Sequence, residues 1–122
     1  MKEFKLIIAG GRDFTDSKKM HAAIDQLVNH GELKEYAVSI VCGMARGADL
    51  LGREFALAFN VKRYEFPADW NQYGKRAGFI RNKQMGDFAD GLLAFWDGES
   101  RGTKQMIEYM QSLKKPVYII HY

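Results

Sequence analysis

The feature that most constrains this chain is a repeated unit: a short, nearly continuous apolar run, a glycine, then a stretch whose apolar residues recur at helical spacing. Residues 4–9 form the first such run, which stops at Gly10-Gly11. A run without polar alternation is what a strand covered on both faces requires, and such strands belong to parallel sheets. Over residues 17–29, Met20, Ile24, Leu27 and Val28 keep the helical period, with Thr15, Asp16 and Ser17 available as N-caps and His30-Gly31 closing the run.

The unit recurs along the chain. Residues 36–42 predict a second strand, residues 43–49 a loop, and Leu51, Phe55, Ala58 and Phe59 the apolar face of a second helix. Residues 61–66 predict a third strand, placed near the edge of the sheet by the charges of Lys62, Arg63 and Glu65 and ended by Pro67. Residues 67–74 read as an aromatic-rich loop, 75–88 as a helix, 90–96 as a strand and 97–103 as a loop. A helix bearing Met106, Ile107, Met110 and Leu113 and a last strand over 116–120 complete the pattern. Strands alternating with helices imply right-handed crossovers and a three-layer α/β sandwich around a five-stranded, mainly parallel sheet. With 122 residues, 47% of them apolar, residues 1–122 make a single domain with one core.

Composition narrows the class further. No stretch approaches the roughly 20 apolar residues of a membrane span, and the first residues lack the apolar segment of a secretion signal. A soluble, cytoplasmic protein with no membrane partner is expected. The lone Cys42 ends an apolar run and reads as a small buried side chain. His21, His30 and His121 are scattered without metal-ligand spacing, so neither a metal nor a cofactor is expected. A formal charge of +3 suits an anionic ligand without demanding one.

In a parallel α/β sheet, the loops leaving the C-terminal ends of the strands share one edge, where ligands bind. Three of them are glycine-rich here: Gly10-Gly11-Arg12-Asp13-Phe14, Gly43-Met44-Ala45-Arg46-Gly47-Ala48-Asp49 and Asp97-Gly98-Glu99-Ser100-Arg101-Gly102-Thr103. Glycine allows close backbone approach, and helix N-termini offer free amides and a favourable dipole to a phosphate. Arg12, Arg46 and Arg81 are candidate phosphate ligands, while Arg101 beside Glu99 reads as a solvated surface charge. Asp13, Asp49 and Asp97 are candidates for ribose or base contacts or for proton transfer, or alternatively for helix caps and ion pairs. Trp70 and Tyr73 offer stacking surfaces or an interface, and Asn82 a polar contact. Neither a G-x-G-x-x-G fingerprint nor a P-loop occurs, which argues against a standard dehydrogenase or P-loop NTPase.

Four ordered motifs carry a family resemblance: Gly10-Gly11-Arg12-Asp13-Phe14, Gly43-x-Ala45-Arg46-Gly47-Ala48-Asp49, Arg81-Asn82-x-x-Met85 and Trp96-Asp97-Gly98-x-Ser100-x-Gly102-Thr103. Together they closely resemble the YspA-like branch of the SLOG superfamily, which also includes the Smf/DprA DNA-processing proteins and the Lonely Guy phosphoribohydrolases. The resemblance implies a Rossmann-like fold and a ligand site formed by Gly10, Gly11, Arg12, Phe14, Gly43, Ala45, Arg46, Gly47, Asp49, Arg81, Asn82, Gly98, Ser100, Gly102 and Thr103. The Lonely Guy enzymes follow their Gly-Thr with a catalytic glutamate. Here Gln105 and Met106 stand at those positions, and neither can act as a base or stabilise an oxocarbenium charge.

The first expectation is therefore a domain that senses or processes a phosphorylated nucleoside or an ADP-ribose-like ligand. The alternatives are an N-glycosidic hydrolase using Asp97 or Asp13, and a module for single-stranded nucleic acid. A homodimer is a further expectation, from the surface offered by a small sheet and its aromatic loop.

Overall fold

The computed structural model describes residues Met1–Tyr122. Its strands are β1 (Glu3–Gly10), β2 (Ala37–Cys42), β3 (Arg63–Glu65), β4 (Gly91–Trp96) and β5 (Val117–His121). They lie in the order β3-β2-β1-β4-β5, and every neighbouring pair is parallel. The helices are α1 (Ser17–Asn29), α2 (Ala48–Ala58), α3 (Trp70–Tyr73), α4 (Ala77–Phe88) and α5 (Arg101–Ser112). This is the expected Rossmann-like α/β sandwich with its sheet wholly parallel. No helix is long and apolar enough to cross a membrane.

Strand parity builds the two apolar layers. Leu6, Ile8, Ile40, Leu93 and Phe95 face one side, where Met20 and Ile24 of α1 and Ala48 and Ala56 of α2 cover them. Ile7, Ala9, Val41, Leu92 and Ala94 face the other, under Met85 of α4 and Met106, Ile107 and Met110 of α5. Helix α2 comes unusually close to the sheet: a Cβ on Gly52 would lie 2.7 Å from Ile8 Cβ, so only glycine allows this approach.

Two predicted segments differ from the structure. The third strand is shorter than 61–66 because Asn60, at φ 54°, turns the chain out of α2 and the Val61 amide donates to Ala56 O at 2.8 Å. What remains is a short edge strand whose Glu65 accepts from Arg63 and Arg53 at 2.6 and 3.0 Å. The predicted 67–74 loop contains α3, because the Asp69 carboxylate accepts from the Gln72 amide at 3.1 Å and caps a single helical turn. A tight turn over Gly74–Arg76 then leads into α4.

The strand order reverses between β1 and β4, since β2 and β3 lie on one side of β1 and β4 and β5 on the other. The loops after these two strands must diverge to opposite faces of the sheet, which leaves a crevice beyond their C-terminal ends.

Candidate anion-binding site

That crevice is a cavity of about 850 Å³ at the C-terminal edge of the sheet, lined by residues from all three glycine-rich loops and from α4. Of the residues singled out from sequence, Gly10, Gly11, Arg12, Asp13, Ala45, Arg46, Asp49, Arg81, Asn82, Asp97, Ser100, Gly102 and Thr103 converge there. Gly43 lines an adjoining cavity of about 510 Å³ that shares Arg12, Ala45, Arg46, Trp70 and Arg81 with the first.

Arg81 is the centre of the arrangement. It projects from α4 and is only 8% exposed. Its Nε donates to Asn82 Oδ1 at 2.9 Å, and its Nη1 donates to the carbonyls of Gly43 and Phe66. Nη2 donates to no protein acceptor, although Arg81 lines both cavities. No buried side-chain nitrogen lacks a partner, so Nη2 opens onto the cavities, where it is free to donate to an anion. Burial lowers the Arg81 pKa, with the neighbouring Asp49 opposing the shift.

Asp49 is the second buried charge, 5% exposed in the first turn of α2. Burial raises its carboxyl to about 6, against the opposing pull of Arg81 and of hydrogen bonds from the Ala45 and Gly10 backbones. Asp49 and Arg81 are near neighbours rather than a direct ion pair, since no Arg81 nitrogen lies within 4.0 Å of the carboxylate. Gly43 keeps the space between them: a Cβ there would lie 2.6 Å from Arg81 Nη1 and 2.8 Å from Asp49 Oδ2.

The third loop is built differently. Asp97 Oδ1 accepts from the amides of Glu99 and Ser100, both at 2.8 Å, and these bonds hold its carboxyl below the usual range. Asp97 is therefore ionised at neutral pH and poorly suited to deliver a proton. No side chain caps the N-terminus of α5, where Gly102 and the buried Thr103 line the cavity; Thr103 Oγ1 lies 3.1 Å from Ser100 Oγ. The N-terminal amides of such a helix favour an anion. Asp13 accepts from Tyr122 Oη at 2.5 Å, which fixes its carboxylate at the rim.

Three sequence candidates stand elsewhere. Phe14 is 2% exposed and stacks on Phe95 with ring centroids 4.6 Å apart, so it packs the core instead of touching a ligand. Its apolar ring gains more from burial than from a wet crevice. Gly98, at φ 88°, turns the chain outside the cavity lining. Gly47, at φ 89°, presses against the Gly11 and Arg12 backbone and shapes the floor from behind. Cys42 is buried, which pushes its thiol up to about 11 and leaves it unreactive.

The cavity also recruits residues that the sequence reading passed over, namely Thr15, Lys75, Gly78 and Phe79. The signal for two of them was present: Gly78 and Phe79 precede Asn82 by four and three positions, which places them along one helical face. Including Arg12, Arg46, Lys75 and Arg81, the basic lining outnumbers Asp13, Asp49 and Asp97. No three His, Cys, Asp or Glu side chains converge as a metal set.

Comparison with known proteins agrees with the fold. DNA processing protein A from Helicobacter pylori, described for its single-stranded DNA binding mode, superposes with a TM-score of 0.70 at 20% identity over 95% of this chain. The Streptococcus pneumoniae protein of the same name superposes with a TM-score of 0.74 at 15% identity over 97% of this chain. The chain spans 64% and 50% of these two proteins, and the likeness is one of fold. In sequence, the Gene 61 protein of Mycobacterium phage D29 is 34% identical over 119 residues, covering 93% of both chains. The model of the YspA, cpYpsA-related SLOG family matches residues 4–73, from β1 through α3, and the chain belongs to that family.

Proposed function

We propose that the cavity binds the phosphate of a nucleotide, with Arg81 at its centre. The observation that carries this reading is the buried guanidinium with one nitrogen left without a protein acceptor at the junction of two cavities. In this reading Arg12 and Arg46 supply mobile charge from the rim, and the Gly102 and Thr103 amides supply fixed donors. Asp13 and Asp97 accept from sugar hydroxyls, their carboxylates being held in place by hydrogen bonds. The ligand class is a phosphorylated nucleoside or an ADP-ribose-like molecule, sensed or processed by the domain.

Thermal unfolding against AMP, ADP-ribose and inorganic phosphate tests this, because a ligand that binds only the folded state raises the midpoint. A rise with a nucleotide, lost in R46A and in G102V, is expected. No rise with any phosphate compound at millimolar concentration would overturn the reading.

A second reading has its own support. Trp70, Tyr73 and Phe79 are exposed near Lys75 and Arg76, and the superposed Helicobacter pylori protein is described as binding single-stranded DNA. Exposed aromatics among cations suit bases and backbone of a single strand. Affinity that falls steeply with salt, following counterion release along a strand, favours this reading over a mononucleotide site.

A further inference from the structure

The adjoining cavities differ in what they offer. The larger presents three carboxylates and the hydroxyls of Thr15, Ser100 and Thr103. Apart from the shared residues, the smaller is lined by Gly43, Met44, Pro67 and Ala68, with no carboxylate and no hydroxyl side chain. Between them stand Arg12, Arg46, Arg81 and Trp70, which line both. A ligand pocket of a few hundred Å³ suffices for one small molecule, so a nucleoside phosphate has room in the larger cavity of about 850 Å³ alone. The smaller one, at about 510 Å³, is surplus to such a ligand.

The junction has a definite geometry. On the side of the larger cavity, Gly78 leaves the surface of α4 bare, and a point one bond out from its Cα lies 3.6 Å from Trp70 Cη2 and 3.9 Å from Arg81 Nη2, two residues that line both cavities. The unpartnered guanidinium nitrogen and the edge of a 52% exposed indole thus flank one spot. A phosphate held by Arg81 there carries its next substituent onto Trp70 and the apolar wall of Met44, Pro67 and Ala68. A flat base fits that wall better than a free sugar, because its face stacks on indole and needs no carboxylate partner.

Resting on the nucleotide reading above, we infer that the natural ligand is a free dinucleotide: one nucleoside in the larger cavity, bridging phosphate at the arginines, and a second base against Trp70 in the smaller. Titration calorimetry with AMP, with adenylyl-adenosine and with diadenosine diphosphate tests it. A dinucleotide is expected to bind about ten-fold or more tightly than AMP. A68W, which fills the smaller cavity, is expected to remove that advantage while AMP affinity stays within about two-fold. M44A, which adds no bulk, is expected to reduce it in the same direction if A68W proves unstable. Equal affinity for AMP and the dinucleotides, or an advantage that survives both substitutions, overturns the second subsite and leaves the phosphate site standing. Binding of a long oligodeoxyadenylate with none of the dinucleotides overturns it in favour of a strand. Absence of binding by every nucleotide overturns the parent reading as well.

Discussion

Two of the glycine-rich loops look alike in sequence and are built on opposite principles. In the loop from Gly43 to Gly47, the glycines are squeezed. A side chain on Gly43 would collide with Arg81 and Asp49, and one on Gly47 would collide with the Gly11 and Arg12 backbone at a φ of 89°. In the loop from Asp97 to Gly102, an added Cβ on Gly98 or Gly102 meets nothing within 4 Å. The first loop uses glycine to bring buried charges together; the second uses it to leave space in front of a helix N-terminus. Mutational cost should therefore report on packing in one loop and on ligand access in the other.

The contrast breaks most visibly at Gly47. G47A adds left-handed strain to a backbone collision and is expected to cost about 3 kcal/mol or more in urea unfolding. A cost below about 1 kcal/mol would show that the loop is looser than its geometry implies. G43A is expected to cost about 2 kcal/mol and also to weaken phosphate binding, because Arg81 or Asp49 must shift to admit the methyl group.

Asp49 sharpens the comparison through pH. Its folded pKa of about 6 lies above the ordinary 3.8, so the folded state holds this proton more tightly than the unfolded chain. The group's contribution to stability is complete below 3.8 and is lost as pH rises to about 6. Glu3, Glu65 and Asp97 have lowered values and act in the opposite sense, so the readout is the difference between wild type and D49N. Wild type is expected to lose stability relative to D49N across that window; parallel profiles would mean that Asp49 is better solvated than its burial indicates.

The second loop yields the smallest effects. G98A is expected to cost about 1 kcal/mol from its φ of 88° alone. G102A sits in open space in the first turn of α5, where alanine is the better helix former, and unfolding should show no loss or a gain of about 0.5 kcal/mol. Any fall in phosphate affinity in G102A then reflects ligand contact, because the fold is intact.

Residues close in sequence could be read without the structure. The period of residues 17–29 against the apolar run of 4–9 determined helix and strand, and their alternation determined a parallel α/β sheet with its glycine loops on one edge. The same reading erred where one residue admits two uses: the aromatic Phe14 went to the core, and the Asp69 cap made a helix of an expected loop. Gly78 and Phe79 share a helical face with Asn82 and Lys75 lies in the turn before it, but only the packing of α4 against the crevice showed that these residues line the cavity.

What the sequence by itself determined was the kind of fold and the edge on which a ligand would lie, because hydrophobic period and strand-end glycines are local properties. Only the tertiary structure decided which charges are buried. Asp49 and Arg81 are distant in the chain, and their solvation depends on how α2 and α4 close around Gly43. Desolvation is a property of the assembled surroundings, and no single segment carries it.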